Sequence, residues 1–281
     1  MYKSGLVLEG GGSRGIYTGG VLDAFIEEGI TFPYVIGVSM GACCGASFLG
    51  KNIKRQHDVI LFSAKDKRYM SLSNLKKTGE YANFDWAFGE LSYDLFPLNH
   101  EEFENSGAVY CVVATNAKTG KAEYFYPKTL RDSCPEIRAS CSMPGVTKGT
   151  EIGGEIYFDG GLADSIPLKR ALDDGCEKAV VILTQHKGYV KPITNRNFKK
   201  PFNSTYPLVG DAIINRSIVY NNQIEYVRQM EDEGRVLVIQ PLADLKCLAI
   251  EKSPEKLEAI YQLGYTQGKQ NIERVKSFLN N

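Results

Sequence analysis

The stretch Tyr34-Val35-Ile36-Gly37-Val38-Ser39-Met40-Gly41-Ala42-Cys43-Cys44-Gly45-Ala46-Ser47-Phe48-Leu49 changes character at one residue. Up to Val38 it is apolar and mostly β-branched, which predicts a strand over Tyr34–Val38. From Met40 onward small and apolar residues predict a helix over Met40–Leu49. Between the two lies Gly37-Val38-Ser39-Met40-Gly41, a G-x-S-x-G sequence. A strand that turns straight into a helix crowds its flanking residues, so glycine is wanted on both sides of the turn. The turn projects the Ser39 hydroxyl above the sheet edge. The helix from Met40 aims its free N–H groups and positive dipole end at the same point. A plainer account is a small-residue turn that lets a helix pack closely on a strand, and Gly41 and Gly45 on one helix face fit that too. The run from Gly29 to Gly50 carries no charged residue and matches a bilayer span in length. Pro33 and the internal glycines divide it into two short apolar blocks, so it reads as strand, turn and buried helix.

Upstream, Leu6–Leu8 predicts a short strand running into Gly10-Gly11-Gly12-Ser13-Arg14-Gly15. Ile16, Gly20, Val21, Ala24 and Phe25 then recur at helical spacing, and Gly29 closes that helix. Strand, helix, strand, helix is the order of an α/β fold with a mostly parallel sheet. Downstream, residues 57–107 are irregular and rich in aromatics. They read equally as core packing and as a cap over an apolar cleft. Strands are expected at Val109–Thr115, Ala122–Tyr126, Thr147–Ile152, Glu155–Phe158, Ala179–Thr184 and Val236–Gln240. Gly153-Gly154 marks a hairpin between the third and fourth of these. Helices are expected at Pro135–Ser142, Leu168–Asp174, Pro207–Glu233 and Pro254–Leu279, with a loop over Tyr189–Asn203. No linker divides the chain, so one domain over residues 1–281 is expected, with a motif-bearing core at about 4–185 and an extension at about 205–281.

Composition narrows the function classes. Lys plus Arg and Asp plus Glu are each 33, so the formal net charge is zero. Nucleic-acid binding, which wants a basic surplus, is not expected. The clusters Lys65–Arg68, Lys76–Lys77 and Lys199–Lys200 read as solvated surface, with transient attraction to an anionic membrane as the alternative. Seven cysteines without regular spacing fit neither a disulfide scaffold nor a zinc site. Reduced thiols in a cytoplasmic protein are expected. Oligomeric state is not legible.

Two further motifs carry chemistry. Gly10, Gly12 and Gly15 form a G-x-G-x-x-G between strand and helix, the place of a dinucleotide fingerprint. A ribose-binding acid should end the following strand, and Ser39 stands there instead. Consecutive glycines can also present backbone N–H groups to an oxyanion, with Arg14 nearby to neutralise it. Asp159-Gly160-Gly161 follows the Glu155–Phe158 strand, so that the Asp159 carboxyl sits at a strand end.

Together GGGSRG, GVSMG and DGG, in that order, resemble the patatin-like phospholipase family over about Ser4 to Gln185. Ala139-Ser140-Cys141-Ser142-Met143-Pro144 looks like a further family segment. The resemblance implies a three-layer α/β/α fold and a serine lipid acyl hydrolase (phospholipase A or carboxylesterase type) working without cofactor or metal. By it, Ser39 and Asp159 form a catalytic dyad, Gly11, Gly12 and Arg14 line an oxyanion hole, and Gly10, Gly15, Gly37, Gly41, Gly160 and Gly161 are motif glycines. The implied partner is a lipid or other ester. One departure is Ser165, where family members often carry Asn before the proline that follows DGG.

The three histidines bear on the mechanism. His57 and His100 read as surface residues. His186 follows the Ala179–Thr184 strand, and the order Ser39, Asp159, His186 is that of an α/β-hydrolase triad. A triad esterase, a nucleotide-binding protein and a non-catalytic relative therefore stand as alternatives to the dyad hydrolase.

Overall fold

The computed structural model describes residues 1–132 and 134–280. Its strands are β1 (Gly5–Leu8), β2 (Tyr34–Val38), β3 (Val109–Asn116), β4 (Ala122–Phe125), β5 (Thr150–Ile152), β6 (Glu155–Asp159), β7 (Ala179–Ile182) and β8 (Val236–Ile239). Its α-helices are α1 (Gly15–Glu27), α2 (Met40–Leu49), α3 (Arg55–Lys65), α4 (Leu72–Thr78), α5 (Phe84–Ala87), α6 (His100–Glu104), α7 (Pro135–Cys141), α8 (Leu168–Asp173), α9 (Pro207–Asp232) and α10 (Pro254–Asn280).

All eight strands join one mixed sheet in the order β5-β6-β3-β2-β1-β7-β8, with β4 paired to β3. The pairs β3-β2, β2-β1, β1-β7 and β7-β8 are parallel. β4, β5 and β6 enter antiparallel.

The central strands are buried along their whole length because both sheet faces are covered. Leu6, Leu8, Val35, Tyr110, Val112, Val180, Ile182, Leu237 and Ile239 point into one core with Val21, Phe25, Leu257 and Ile260 of α1 and α10. Their alternates Val7, Tyr34, Ile36, Val38, Cys111, Val113, Val181 and Val238 point into the other, with Leu168 and Ala171 of α8 and Tyr220, Val227 and Met230 of α9. The period-two alternation of side chains thus yields three layers. Among the described residues no helix is long and apolar enough to cross a membrane.

β1 and β7 are neighbours, and the chain leaves β1 toward β2 on one side and β7 toward β8 on the other, so the connections run in opposite directions across the sheet. The crevice beyond the carboxyl ends of strands at such a switch point is where α/β sheets bind ligands. Gly10 to Gly15 lies there.

Several expectations need correcting. The loop expected over Tyr189–Asn203 contains a 3-10 helix, Arg196–Phe202, whose Asn195 side chain accepts from Asn197 N. Capping of that kind was masked by the lysines and proline. The irregular 57–107 region holds α3 to α6 and a π-helical turn, Leu91–Leu95. His57 is not a surface residue. Its ring packs on Tyr261 with centroids 4.4 Å apart and planes tilted by 52°, and its two nitrogens lie 2.7 Å from Asp58 and Glu258. His100 is half-buried and stacks on Tyr93.

Candidate active site

The turn at Ser39 follows from the residues on either side of it. A Cβ on Gly37 would stand 2.6 Å from the Gly41 carbonyl oxygen, and one on Gly41 would stand 2.5 Å from that of Leu8. Both obstacles are backbone and cannot swing away. Ser39 itself sits at φ 54°, ψ −125°, a conformation that L-residues rarely adopt. What holds it is bonding on both sides: its N–H donates to Ser140 Oγ at 2.7 Å, and its carbonyl accepts from Ala42 and Cys43, starting α2.

The Ser39 hydroxyl donates to Asp159 Oδ2 at 2.7 Å. Asp159 Oδ1 accepts from Gly161 N at 2.7 Å. The Asp159 main chain is fixed as well: its N–H donates to Ser142 O at 2.8 Å, and its carbonyl accepts from Thr115 Oγ1 at 2.9 Å. Asp159 is 6% exposed. Burial pushes its carboxyl above the ordinary carboxylate value, while Arg216, the Ser39 hydroxyl and the Gly161 amide oppose that rise. A hydroxyl held against a buried, more basic carboxylate can lose its proton to it as the oxygen attacks an electrophile.

The glycine loop lies alongside. A Cβ on Gly10 would come within 3.2 Å of the Ser39 Cβ. Gly12 is at φ 55°, and a Cβ there would run into the Ala249 carbonyl. Ser13 N donates to that same carbonyl at 2.9 Å, and Arg14 N to Gly11 O at 3.2 Å. The Gly11 and Gly12 amides have no acceptor among the described residues. Arg14 donates to Cys247 O at 3.1 Å, and its Nε is buried without a partner in the described residues. Gly15 packs against the Met40 side chain, and Gly160 against the Val113 carbonyl. Ser165, where family members often carry Asn, donates to Gly161 O at 2.7 Å, so its hydroxyl braces the DGG turn.

These groups share a cavity of about 210 Å³ lined by Gly10 to Arg14, Ser39 and Asp159. Val59, Ile60, Phe84, Phe88 and Leu91 supply apolar wall, so the aromatic-rich segment serves both as core and as cleft. His186 is elsewhere. It lines a different cavity with Gln185 and Tyr189, and its Nδ1 lies 2.9 Å from Lys187 O. Among the described residues no group of three or more His, Cys, Asp or Glu could hold a metal ion.

Other contributors were not singled out in the sequence. Ser140 and Ser142 bond the main chains of Ser39 and Asp159, a role that the Ala139–Pro144 sequence does not reveal. Arg216 Nε donates to Gly161 O at 2.6 Å, and Gln223 reaches Asp164 at 2.6 Å and Ile166 N at 3.2 Å. Arg216, Tyr220 and Gln223 share one face of α9 at helical spacing, a stripe that reads in sequence as ordinary amphipathicity.

A Gly-framed serine at a strand-to-helix turn, a buried aspartate against it and a glycine loop at the switch point thus meet in one cavity of an α/β/α fold. Residues 6–172 match the family described as patatin-like phospholipase, which is more than half of the chain, and the protein belongs to that family. Residues 206–280 match a second family, a domain of unknown function (DUF6363). Among curated proteins the chain is 27% identical over 282 residues to the uncharacterized protein YjjU of Escherichia coli K12, covering 98% of this chain and 78% of that one. It is 26% identical over 292 residues to lysophospholipase nte1 of Aspergillus niger, covering 97% of this chain but 18% of that one. The chain thus spans under a fifth of the length of the lysophospholipases it matches. Among solved structures it aligns with VipD of Legionella pneumophila at TM-score 0.48 and 16% identity, over 99% of this chain and 67% of that one.

Proposed function

We propose that the protein is a serine-dependent lipid acyl hydrolase working through a Ser39–Asp159 dyad. The observation that carries the reading is the 2.7 Å hydrogen bond from Ser39 Oγ to the buried Asp159 carboxylate. Family membership and the lysophospholipase relatives support a fatty acyl ester as substrate, and the apolar wall of the cavity suits an acyl chain.

In the first half-reaction Ser39 Oγ attacks the ester carbonyl carbon and its proton passes to Asp159. The oxyanion so formed accepts from the Gly11 and Gly12 amides, with Arg14 adding positive charge. Collapse of the tetrahedral adduct breaks the bond to the alcohol, which leaves with the proton from Asp159, and an acyl-Ser39 ester remains. Water then gives a proton to Asp159 and attacks the acyl carbon. Ser39 regains its proton as the carboxylic acid departs. Asp159 spends one oxygen on Gly161 and one on Ser39, and His186 lines another cavity, so the dyad is favoured over the triad.

The test is labelling with a fluorophosphonate probe, followed by identification of the acids released from defined lipids. Labelled wild type and unlabelled Ser39→Ala are expected. A folded wild-type protein that takes no label, or a Ser39→Ala variant that labels equally, refutes the reading.

A further inference from the structure

The wall of the cavity beside Ser39 carries more positive charge than the Ser39–Asp159 chemistry needs. Some charged groups on its wall are already paired. Asp66 holds Arg68 at 2.8 Å, Glu251 holds Lys256 at 2.8 Å, and Arg55 donates to Phe96 O at 2.8 Å and Ser47 Oγ at 3.0 Å. Lys191 and Arg216 line the same wall and form no ion pair among the described residues.

Both are held in place. The Lys191 ammonium lies 4.4 Å from the centre of the Tyr220 ring. Its main chain is clamped by Asn221, which accepts from Lys191 N at 2.8 Å and donates to Lys191 O at 3.1 Å. Arg216 spends only Nε, on Gly161 O, so its two terminal nitrogens have no acceptor among the described residues. Burial pushes the Lys191 ammonium down to about 8, and the positive charges of Arg216 and Arg14 act in the same direction. Glu9 opposes them, but both its oxygens are taken, by Thr184 N and by the Tyr220 hydroxyl at 2.9 Å, and burial raises its own proton affinity. Like charges kept together in a partly dry cavity are costly until an anion joins them.

We infer that Lys191 and Arg216 form an anion subsite that takes the phosphate of a glycerophospholipid headgroup while Ser39 attacks the acyl ester. This rests on the hydrolase reading above. A phosphodiester offers two unesterified oxygens and one negative charge, matching a guanidinium fork and an ammonium. The same cavity receives apolar side chains from Val59 to Leu91 for the chain. Arg216, Tyr220 and Asn221 all fall within residues 206–280, the segment of unknown function. Headgroup recognition is then what that segment contributes.

The experiment compares kcat/KM for lysophosphatidylglycerol with kcat/KM for a monoacylglycerol of the same chain, in wild type, Lys191→Met and Lys191→Arg. Methionine keeps the packing on Tyr220 and removes the charge. The ratio is expected to fall by about tenfold in Lys191→Met, as for loss of one close charge contact. Lys191→Arg keeps a positive charge able to bind phosphate, and its ratio should lie within about threefold of wild type. A ratio that stays within about twofold of wild type in Lys191→Met overturns the assignment. Should Lys191→Met fail to fold, Lys191→Gln carries the same comparison.

Inorganic phosphate is the second probe. Competitive inhibition of lysophospholipid turnover that weakens in the Lys191 variant supports the subsite, and equal inhibition in both opposes it. A Lys191-dependent phosphate effect with an unmoved substrate ratio marks a free-phosphate site and overturns the headgroup assignment. Fluorophosphonate labelling, done first, separates the failures. No label sinks the hydrolase and the subsite together, whereas label with an unmoved ratio sinks the subsite alone.

Discussion

Val38 and Asp159 lie beside consecutive residues of one strand: Val38 is in register with Val113, and Asp159 with Ala114. β4 occupies one edge of β3 from Val112 to Thr115, so β2 and β6 must share the other. They meet end to end there, and Ser39, the residue after Val38, is delivered to the Asp159 carboxyl. Two residues 120 apart in the chain are thus joined by sheet register. Asp159→Asn tests what that contact does. The amide cannot take the Ser39 proton, and kcat should fall by about three orders of magnitude, in the middle of the range of general-base effects. Since burial disfavours the Asp159 charge, the same variant should melt at a higher temperature than wild type at pH 7. Calorimetry beside an ester assay reads both. A variant that turns over normally would remove Asp159 from the chemistry.

Strain at Ser39 gives a separate prediction. Its φ of 54° suits glycine and not alanine. Ser39→Ala and Ser39→Gly both lose the hydroxyl, but only the glycine variant relieves the backbone. Ser39→Gly should therefore be the more stable of the two by about 1 kcal/mol, the low end of the cost of such conformations. Gly41→Ala should instead lose about 3 kcal/mol, because the new methyl meets the Leu8 carbonyl. Urea midpoints of the three variants decide both points, and Gly41→Ala at wild-type stability would contradict the turn geometry.

Arg216 is the first of the influences that lower the Asp159 proton affinity against burial. Activity that needs ionised Asp159 rises with pH as its proton leaves, so the acid limb of kcat/KM for a neutral ester should lie above the ordinary carboxylate value. Removing the guanidinium in Arg216→Gln raises that proton affinity further. The limb should move to higher pH, whatever else the loss of the Gly161 contact does to the plateau. An acid limb that stays in place in the variant would detach Arg216 from the Asp159 equilibrium.

The sequence made the first 50 residues and the three motifs readable because each depends on local chemistry: β-branched runs, a glycine-framed turn, an Asp-Gly-Gly at a strand end. The family resemblance then joined Ser39 to Asp159. Register along β3, which brings them together, was not legible, since no local pattern records which strand edge β6 takes. The sequence of the C-terminal helix predicts its position alone. Gly264 and Gly268 give α10 a close crossing with α1, where a Cβ on Gly268 would lie 2.8 Å from Ala24 Cβ and one on Gly264 would meet the Tyr17 carbonyl. Arg216 was invisible for a similar reason: one arginine among the charges of α9 takes its meaning from Gly161, across the fold.

His186 offers a compact test of dyad against triad. Its ring faces Tyr189 edge-on in a cavity that does not include Ser39. His186→Ala should keep kcat/KM within about twofold of wild type, the range of a substitution outside the reacting groups. A loss of orders of magnitude in a folded variant would restore the triad.

Asp164 connects the site to stability. It is 7% exposed, accepts from the Tyr124 hydroxyl at 2.8 Å and from Gln223 at 2.6 Å, and burial raises its pKa from 3.8 to about 6 in spite of both. A raised folded-state value means that the native protein binds this proton more tightly than the unfolded chain. The stability so contributed is present below about pH 4 and is lost as pH rises through about 6. A rise from 3.8 to about 6 corresponds to about 3 kcal/mol once both states are ionised. Asparagine mimics the protonated acid in shape and lacks the titration. The stability of Asp164→Asn relative to wild type should therefore climb by about 2–3 kcal/mol between pH 4 and pH 7.5. Taking the difference cancels the other carboxylates, which both proteins share. Urea denaturation across that range measures it, and a difference that stays flat would mean that Asp164 keeps an ordinary proton affinity behind Tyr124 and Gln223.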